Sequence, residues 1–127
     1  MAIGRSVFWF VVLAAVLAFL VFISWPVVRY RYTVSDSYLY LLTIGRNATH
    51  YGPRYSDSAL TKVRIGMSRE EVQGILGEPL RRYSYVETNE CWRYSLPASQ
   101  SGHYHNRSVS FSLDGRVIDV YKGFYFD

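Results

Sequence analysis

The chain has 127 residues and a formal net charge of +4, with 12 Tyr, 7 Phe, 3 Trp and a single cysteine, Cys91. That leaves room for one small domain with extensions, and the aromatic content argues against disorder. The basic excess does not indicate nucleic acid: through Arg54 five arginines face one acid, Asp36, whereas from Asp57 onward nine bases balance nine acids, the reverse of a basic binding domain.

Val7 to Ile23 is an unbroken apolar run, and no charge follows until Arg29. About 22 uncharged residues at ~1.5 Å rise span ~33 Å, enough for a hydrocarbon core of ~30 Å. Trp9 and Trp25, with Tyr30 and Tyr32 beyond, stand where an aromatic belt belongs. The run is long for a cleaved signal peptide, and Ser24-Trp25-Pro26 offers no small-x-small site. Residues 1–32 are therefore expected to form a single-pass membrane anchor with its flanks.

Residues 33–56 carry softer signals and are expected to be a juxtamembrane linker. Within them, Ser35-Asp36-Ser37 would cap a short helix from Tyr38 to Ile44, stopped by Gly45, lying on the membrane surface or packed on the domain. Arg46 to Ser56, with Gly52-Pro53, reads as the linker proper.

Residues 57–127 are expected to be the domain. Asp57 or Ser58 would cap a first short helix running to about Ile65. A second helix follows Ser68: its hydroxyl and Glu71 complete an S-x-x-E capping box, with Met67 and Val72 as a staple. Val72, Ile75 and Leu76 share one helix face, Gly77 is a left-handed stop and Pro79 bars resumption. Arg81 to Glu87 is read as an irregular strand or arm. Cys91 to Leu96 alternates, with Trp92, Tyr94 and Leu96 on one side. Pro97 to Asn106 is a polar loop, and Arg107 to Leu113 is a strand.

Asp114-Gly115 predicts a two-residue type I′ hairpin turn. Leu113 would then face Arg116, Phe111 would face Ile118 and Val109 would face Val120, with the apolar residues of both strands on one side. The fold class predicted is α+β: an N-terminal transmembrane helix, then two short helices packed on a three-stranded antiparallel sheet. Its core would be Leu60, Val63, Ile65, Val72, Ile75, Leu76, Trp92, Tyr94, Val109, Phe111, Ile118 and Val120.

The ordered set Ile65-Gly66-Met67-Ser68, Val72, Leu76-Gly77, Pro79, then Trp92-Arg93-Tyr94 and Asp114-Gly115, resembles the BamE family, also called SmpA/OmlA. The resemblance covers about residues 57 to 127. It implies a fold similar to the β-lactamase-inhibitor-protein repeat. It also implies a small, non-enzymatic envelope protein that helps a β-barrel assembly machine in the outer membrane. The family pattern has an N-terminal lipidated cysteine, which Cys91 cannot supply, so the apolar helix would take over anchoring. Arg29 and Arg31 after the span against Arg5 before it weakly favour a cytoplasmic domain. The resemblance implies the periplasmic side, and that side is expected.

Chemistry is sparse. His103 and His105, with His50 and Cys91, are metal-ligating types, but they sit without metal-site spacing and are expected to be solvated loop histidines. Cys91 is expected to be a half-covered strand residue, and Glu70 and Glu71 serve the helix start. No cofactor, metal or small-molecule substrate is expected. The remaining candidates are Arg81, Arg82, Tyr83, Tyr85, Arg93 and Tyr121, since Tyr and Arg anchor interfaces. The second sheet face would show Arg93, Ser95, Ser110, Ser112, Asp119 and Tyr121. Expected partners are the membrane and envelope proteins or lipid headgroups. A runner-up is an inhibitor or regulator that uses the sheet face against an enzyme, and a third reading is a small metal-dependent enzyme on His103 and His105. The Gly123–Asp127 end is an aromatic tail that folds onto the domain or engages a partner.

Overall fold

A computed structural model describes residues 4–43, 48–85, 89–98 and 102–126. The first element is helix α1, Arg5–Tyr30, whose apolar side chains are exposed along its length. Among the described residues it is the one helix long and apolar enough to cross a membrane; 26 residues at ~1.5 Å rise give ~39 Å. It ends at Arg31, which takes the left-handed conformation at φ 54° and redirects the chain.

Helix α2, Val34–Leu42, begins earlier than the sequence suggested, because Thr33 is the cap: its Oγ1 accepts from the Asp36 amide at 3.2 Å. Ile44 and Gly45, the expected end of this helix, lie outside the described residues. In the stretch read as a linker, Thr49–Tyr51 forms a strand, β1, antiparallel to β4, Ser95–Pro97.

Helix α3, Asp57–Leu60, is one turn long and is capped by Ser56 rather than by Asp57 or Ser58. Helix α4, Arg69–Leu76, has the expected capping box. The Glu71 amide donates to Ser68 Oγ at 3.2 Å, and the Ser68 amide donates to Glu71 Oε2 at 2.7 Å. Gly77 closes it at φ 77°, where a Cβ would stand 2.8 Å from that of Arg54.

The main sheet has four antiparallel strands, not three: β2 (Arg81–Tyr85), β3 (Asn89–Arg93), β5 (Tyr104–Phe111) and β6 (Val117–Tyr125), in the order β2-β3-β5-β6. Of the irregular strand or arm expected from Arg81 to Glu87, Arg81–Tyr85 is an edge strand; Val86 and Glu87 lie outside the described residues. Cys91 to Leu96 is not one strand. The chain bends at Tyr94, so that Tyr94 and Ser95 are both buried and Leu96 leaves the core face. Strand β5 starts at Tyr104, three residues into the expected loop.

The hairpin between β5 and β6 corrects the register. Only Gly115 has positive φ, 79°, whereas a type I′ turn needs two such residues. The Gly115 amide bonds the Ser112 carbonyl at 2.9 Å and the Ser112 amide bonds the Arg116 carbonyl at 2.8 Å. These bonds close a three-residue loop over Leu113, Asp114 and Gly115. Phe111 therefore pairs with Val117, and a shift restores Ser110 to Asp119 and Val109 to Val120. Ile118 is the extra residue of the bulge. It is 42% exposed, on the opposite side from buried Phe111, while Val117 takes its place in the core. Leu113 is an exposed loop residue.

The core is Leu60, Val63, Val72, Leu76, Trp92, Tyr94, Val109, Phe111 and Val117, with Ile75, Val120 and Met67 partly buried against it. Ile65 is exposed, because it sits in the turn before Gly66 instead of on a helix. Trp92 and Phe111 pack with ring centroids 4.6 Å apart. Glu90 ties the edge of this core: it accepts from Trp92 Nε1 at 2.7 Å and from Arg69 Nε at 2.6 Å. Helices α3 and α4 cover one half of the sheet's inner face. The end of α1 and helix α2 cover the other half, where Tyr40 meets Phe124 at 5.6 Å.

Replacing Trp92 by Ala is expected to cost about 3–5 kcal/mol, whereas Ile118→Ala should cost less than about 1 kcal/mol. Chemical denaturation of the two variants measures both, and equal losses would contradict the bulge.

Candidate partner-binding surface

Alternation along the four strands separates two faces. Trp92, Arg107, Val109 and Phe111 look toward the helices. Arg81, Tyr83, Arg93 and Tyr104 belong to the other face, which no helix among the described residues covers. On that open face the groups form a connected cluster. Arg93 donates to the Tyr104 hydroxyl at 3.0 Å and lies 5.0 Å over the Tyr83 ring. Arg81 reaches the Tyr83 hydroxyl at 3.4 Å. Tyr104 and Tyr125, paired across β5 and β6, stand 5.4 Å apart. Together with Pro97 these side chains line a shallow concavity. Among the described residues neither Arg81 nor Arg93 meets a carboxylate. The patch is therefore cationic, aromatic and preorganised, the composition favoured where proteins meet.

The sequence candidates do not all fall here. Arg82 lies on the helix side: it bonds Glu78 at 2.7 Å and stacks 4.6 Å over the Trp92 ring, against the core. Tyr121 is exposed on β6, and Tyr85 belongs to β2 with its side chain outside the described residues. Ser95, expected on this face, is buried and accepts from the Arg107 amide at 2.7 Å. Tyr104 reads as loop in the sequence and Tyr125 only as part of the aromatic tail, whereas both are strand residues here. The tail's Gly123, Phe124 and Tyr125 are in fact the end of β6, with Phe124 buried.

A second polar constellation lies where the chain leaves α1, and it is not legible as a cluster in the sequence. Arg107 is wholly buried. Its Nε donates to Asp57 Oδ1 at 2.9 Å, its Nη1 to the carbonyls of Asn106 and Gly123 at 3.0 Å each, and its Nη2 to the Tyr32 hydroxyl at 3.1 Å. Tyr32 in turn bonds His105 Nδ1. Tyr30, Tyr40 and Phe124 ring His105 at 5.0, 5.5 and 5.4 Å. The signal for Arg107 was its parity with Val109 and Phe111, which placed a cation on the core side of the strand.

His105 is thus buried rather than solvated, while His103 stacks on Phe126 at 4.7 Å. Burial, and then the Arg107 charge, push His105 down to about 4. Burial alone would raise Asp57. Hydrogen bonds from Arg107 and Tyr55, with the charges of Arg107 and Lys122, outweigh it and hold the carboxyl at about 2. Burial raises the Tyr32 hydroxyl despite its contact with Arg107. The arrangement ties the segment after α1 to α3, β5 and β6. Cys91 is buried in β3, and among the described residues no group of three His, Cys, Asp or Glu side chains gathers as metal ligands.

A profile described as the outer membrane protein assembly factor BamE domain matches residues 54–120, a little over half of the chain. The chain belongs to the BamE family. No match was found among curated proteins. The BamE match takes in Arg81, Tyr83, Arg93 and Tyr104, together with both members of the Asp57–Arg107 pair. It leaves out α1, α2, Tyr32, Tyr121 and Tyr125. The BamE domain therefore carries most of the open-face cluster, whereas the junction is completed by residues on either side of it, Tyr30, Tyr32 and Tyr40 before and Gly123 and Phe124 after.

Arg107→Lys is expected to lose about 3–5 kcal/mol despite keeping the charge, because an ammonium cannot reach Asp57, Gly123 and Tyr32 together; thermal melting measures the loss. Acid should weaken the fold in two stages. His105 is depressed in the folded state, so the unfolded chain takes up its proton first, and stability falls between pH 6.5 and about 4. The size of that loss is on the order of 3 kcal/mol. Asp57 adds a further loss from 3.8 toward about 2. His105→Asn should flatten the first stage and leave the second.

Proposed function

We propose that this chain is a membrane-anchored, non-catalytic envelope protein that docks another envelope protein on the open sheet face. Helix α1 serves as a retained single-pass anchor within residues 1–32, 33–56 join it to the module, and residues 57–127 lie on the periplasmic side. The family name supports a role in outer-membrane assembly. The observation that carries the reading is the Arg81–Tyr83–Arg93–Tyr104 cluster: Arg93 held over the Tyr83 ring and on the Tyr104 hydroxyl, and Arg81 on the Tyr83 hydroxyl, with no carboxylate to neutralise them among the described residues. Rings and guanidinium groups already fixed by one another lose little entropy on binding, and the exposed cations favour a partner with an acidic, aromatic-accepting surface. Tyr121 extends the face, and Arg82 supports it from beneath through Trp92.

A photo-crosslinking residue at Tyr83 or Tyr125 is expected to capture an outer-membrane assembly component in cells, and one at exposed Ile65 is not. Tyr83→Ala with Arg93→Ala should weaken capture about tenfold or more while leaving circular dichroism unchanged. Capture of a soluble hydrolase alone would instead make the chain an inhibitor. If protease added to intact spheroplasts spares the domain until lysis, the domain is cytoplasmic and the envelope role is lost.

A further inference from the structure

Helix α2 carries two opposed sets of residues. Tyr40 packs into the domain against Tyr30, Tyr32, His105 and Phe124. Val34, Tyr38, Leu41 and Leu42 recur at helical spacing and face away from it, with Val34 81%, Tyr38 62% and Leu42 57% exposed. That stripe does not end in water-facing polar residues. It forms one wall of an apolar groove whose other wall is α1, from Phe19 to Val27. The α1 wall is itself exposed at Phe19, Leu20 and Phe22.

The geometry points to phospholipid acyl chains as the occupant of this groove, so that α2 lies in the membrane interface as a second, shallow point of attachment. The inference rests on α1 being a membrane anchor. Continuity is its first support. Six residues of α1 between Phe19 and Val27 line the groove, a stretch of ~12 Å at ~1.5 Å rise per residue. That places the groove in the half of the bilayer nearest the domain, around Trp25, where an aromatic belt marks the interface. Lipid already covers the rest of α1 in this reading, and among the described residues nothing separates it from the groove. Charge is the second support. Just past the groove stand Arg29 and Arg31, at the level of lipid phosphates, and α2 carries one acid, Asp36, off the apolar stripe. An amphipathic helix with basic flanks and Val, Tyr and Leu on its other face is the composition that seats in an interface. Because α2 is also packed on β6, such seating would fix the height and tilt of the open sheet face above the bilayer.

Spin labels test this on the full chain in phosphatidylethanolamine–phosphatidylglycerol vesicles. They are placed singly at Val34→Cys, Leu42→Cys, Asp36→Cys and, within α1, Leu17→Cys, in a Cys91→Ser background with unchanged circular dichroism. The labels at 34 and 42 are expected to be relaxed several-fold more by oxygen than by a water-soluble nickel chelate, as at 17, with the reverse at 36. Nickel access at 34 and 42 with oxygen access at 17 would overturn the inference and leave the anchor intact. Shielding from both reagents, or spin–spin broadening between copies, would also overturn it, since a protein then fills the groove. Nickel access at 17 would remove the anchor reading itself, and the inference with it.

Discussion

The structure depends on one buried cation. Arg107 sits on the core side of β5, and removing a guanidinium from water is tolerable only where its donors are met. Four of its five N–H groups find oxygen acceptors, and those acceptors come from four different parts of the chain: Asp57 at the start of α3, Asn106 beside it, Gly123 in β6, and Tyr32 after the apolar helix. The cation is therefore a fastener between the sheet, the first domain helix and the segment leaving α1. Its geometric demand explains why Tyr32 is buried, and why the chain turns at Arg31 in an unusual left-handed conformation.

That fastening divides the sheet's inner face. Toward the β3 side, the aliphatic and aromatic core under α3 and α4 is the part a family pattern specifies. Toward the other end, a polar and aromatic junction under α2 joins the domain to its N-terminal helix. The outer face stays open. With the inner face filled along its whole length, the Tyr–Arg cluster at Arg81, Tyr83, Arg93 and Tyr104 is what the sheet presents outward. The helices thus hold a shallow, charged surface and fix its orientation relative to α1.

The bulge at Ile118 belongs to the same economy of shape. A three-residue loop puts the two strands out of phase by one residue, and the bulge returns Val109 to Val120 two pairs later. Without it, β6 would turn Phe124 outward and Tyr125 inward, and both the aromatic junction and the open-face cluster would be lost.

Local signals in the sequence determined a good deal. The capping box at Ser68 and Glu71, the stop at Gly77, the apolar length of α1 and the alternation of β5 each depend on residues within a turn or two of one another. For these, spacing alone carries the physics. What only the tertiary structure decided is whatever needs partners distant in the chain. Arg107 declares its burial by parity, but its acceptors lie 50 and 75 residues away at Asp57 and Tyr32. Asp114-Gly115 looks like a two-residue turn until the core prefers Val117 to Ile118. His105 reads as loop because the rings that bury it come from α1, α2 and β6. Local propensity sets which segment is helix or strand, whereas the choice of which side chain is buried is made by packing and by the cost of an unmet charge, and both are properties of the assembled chain.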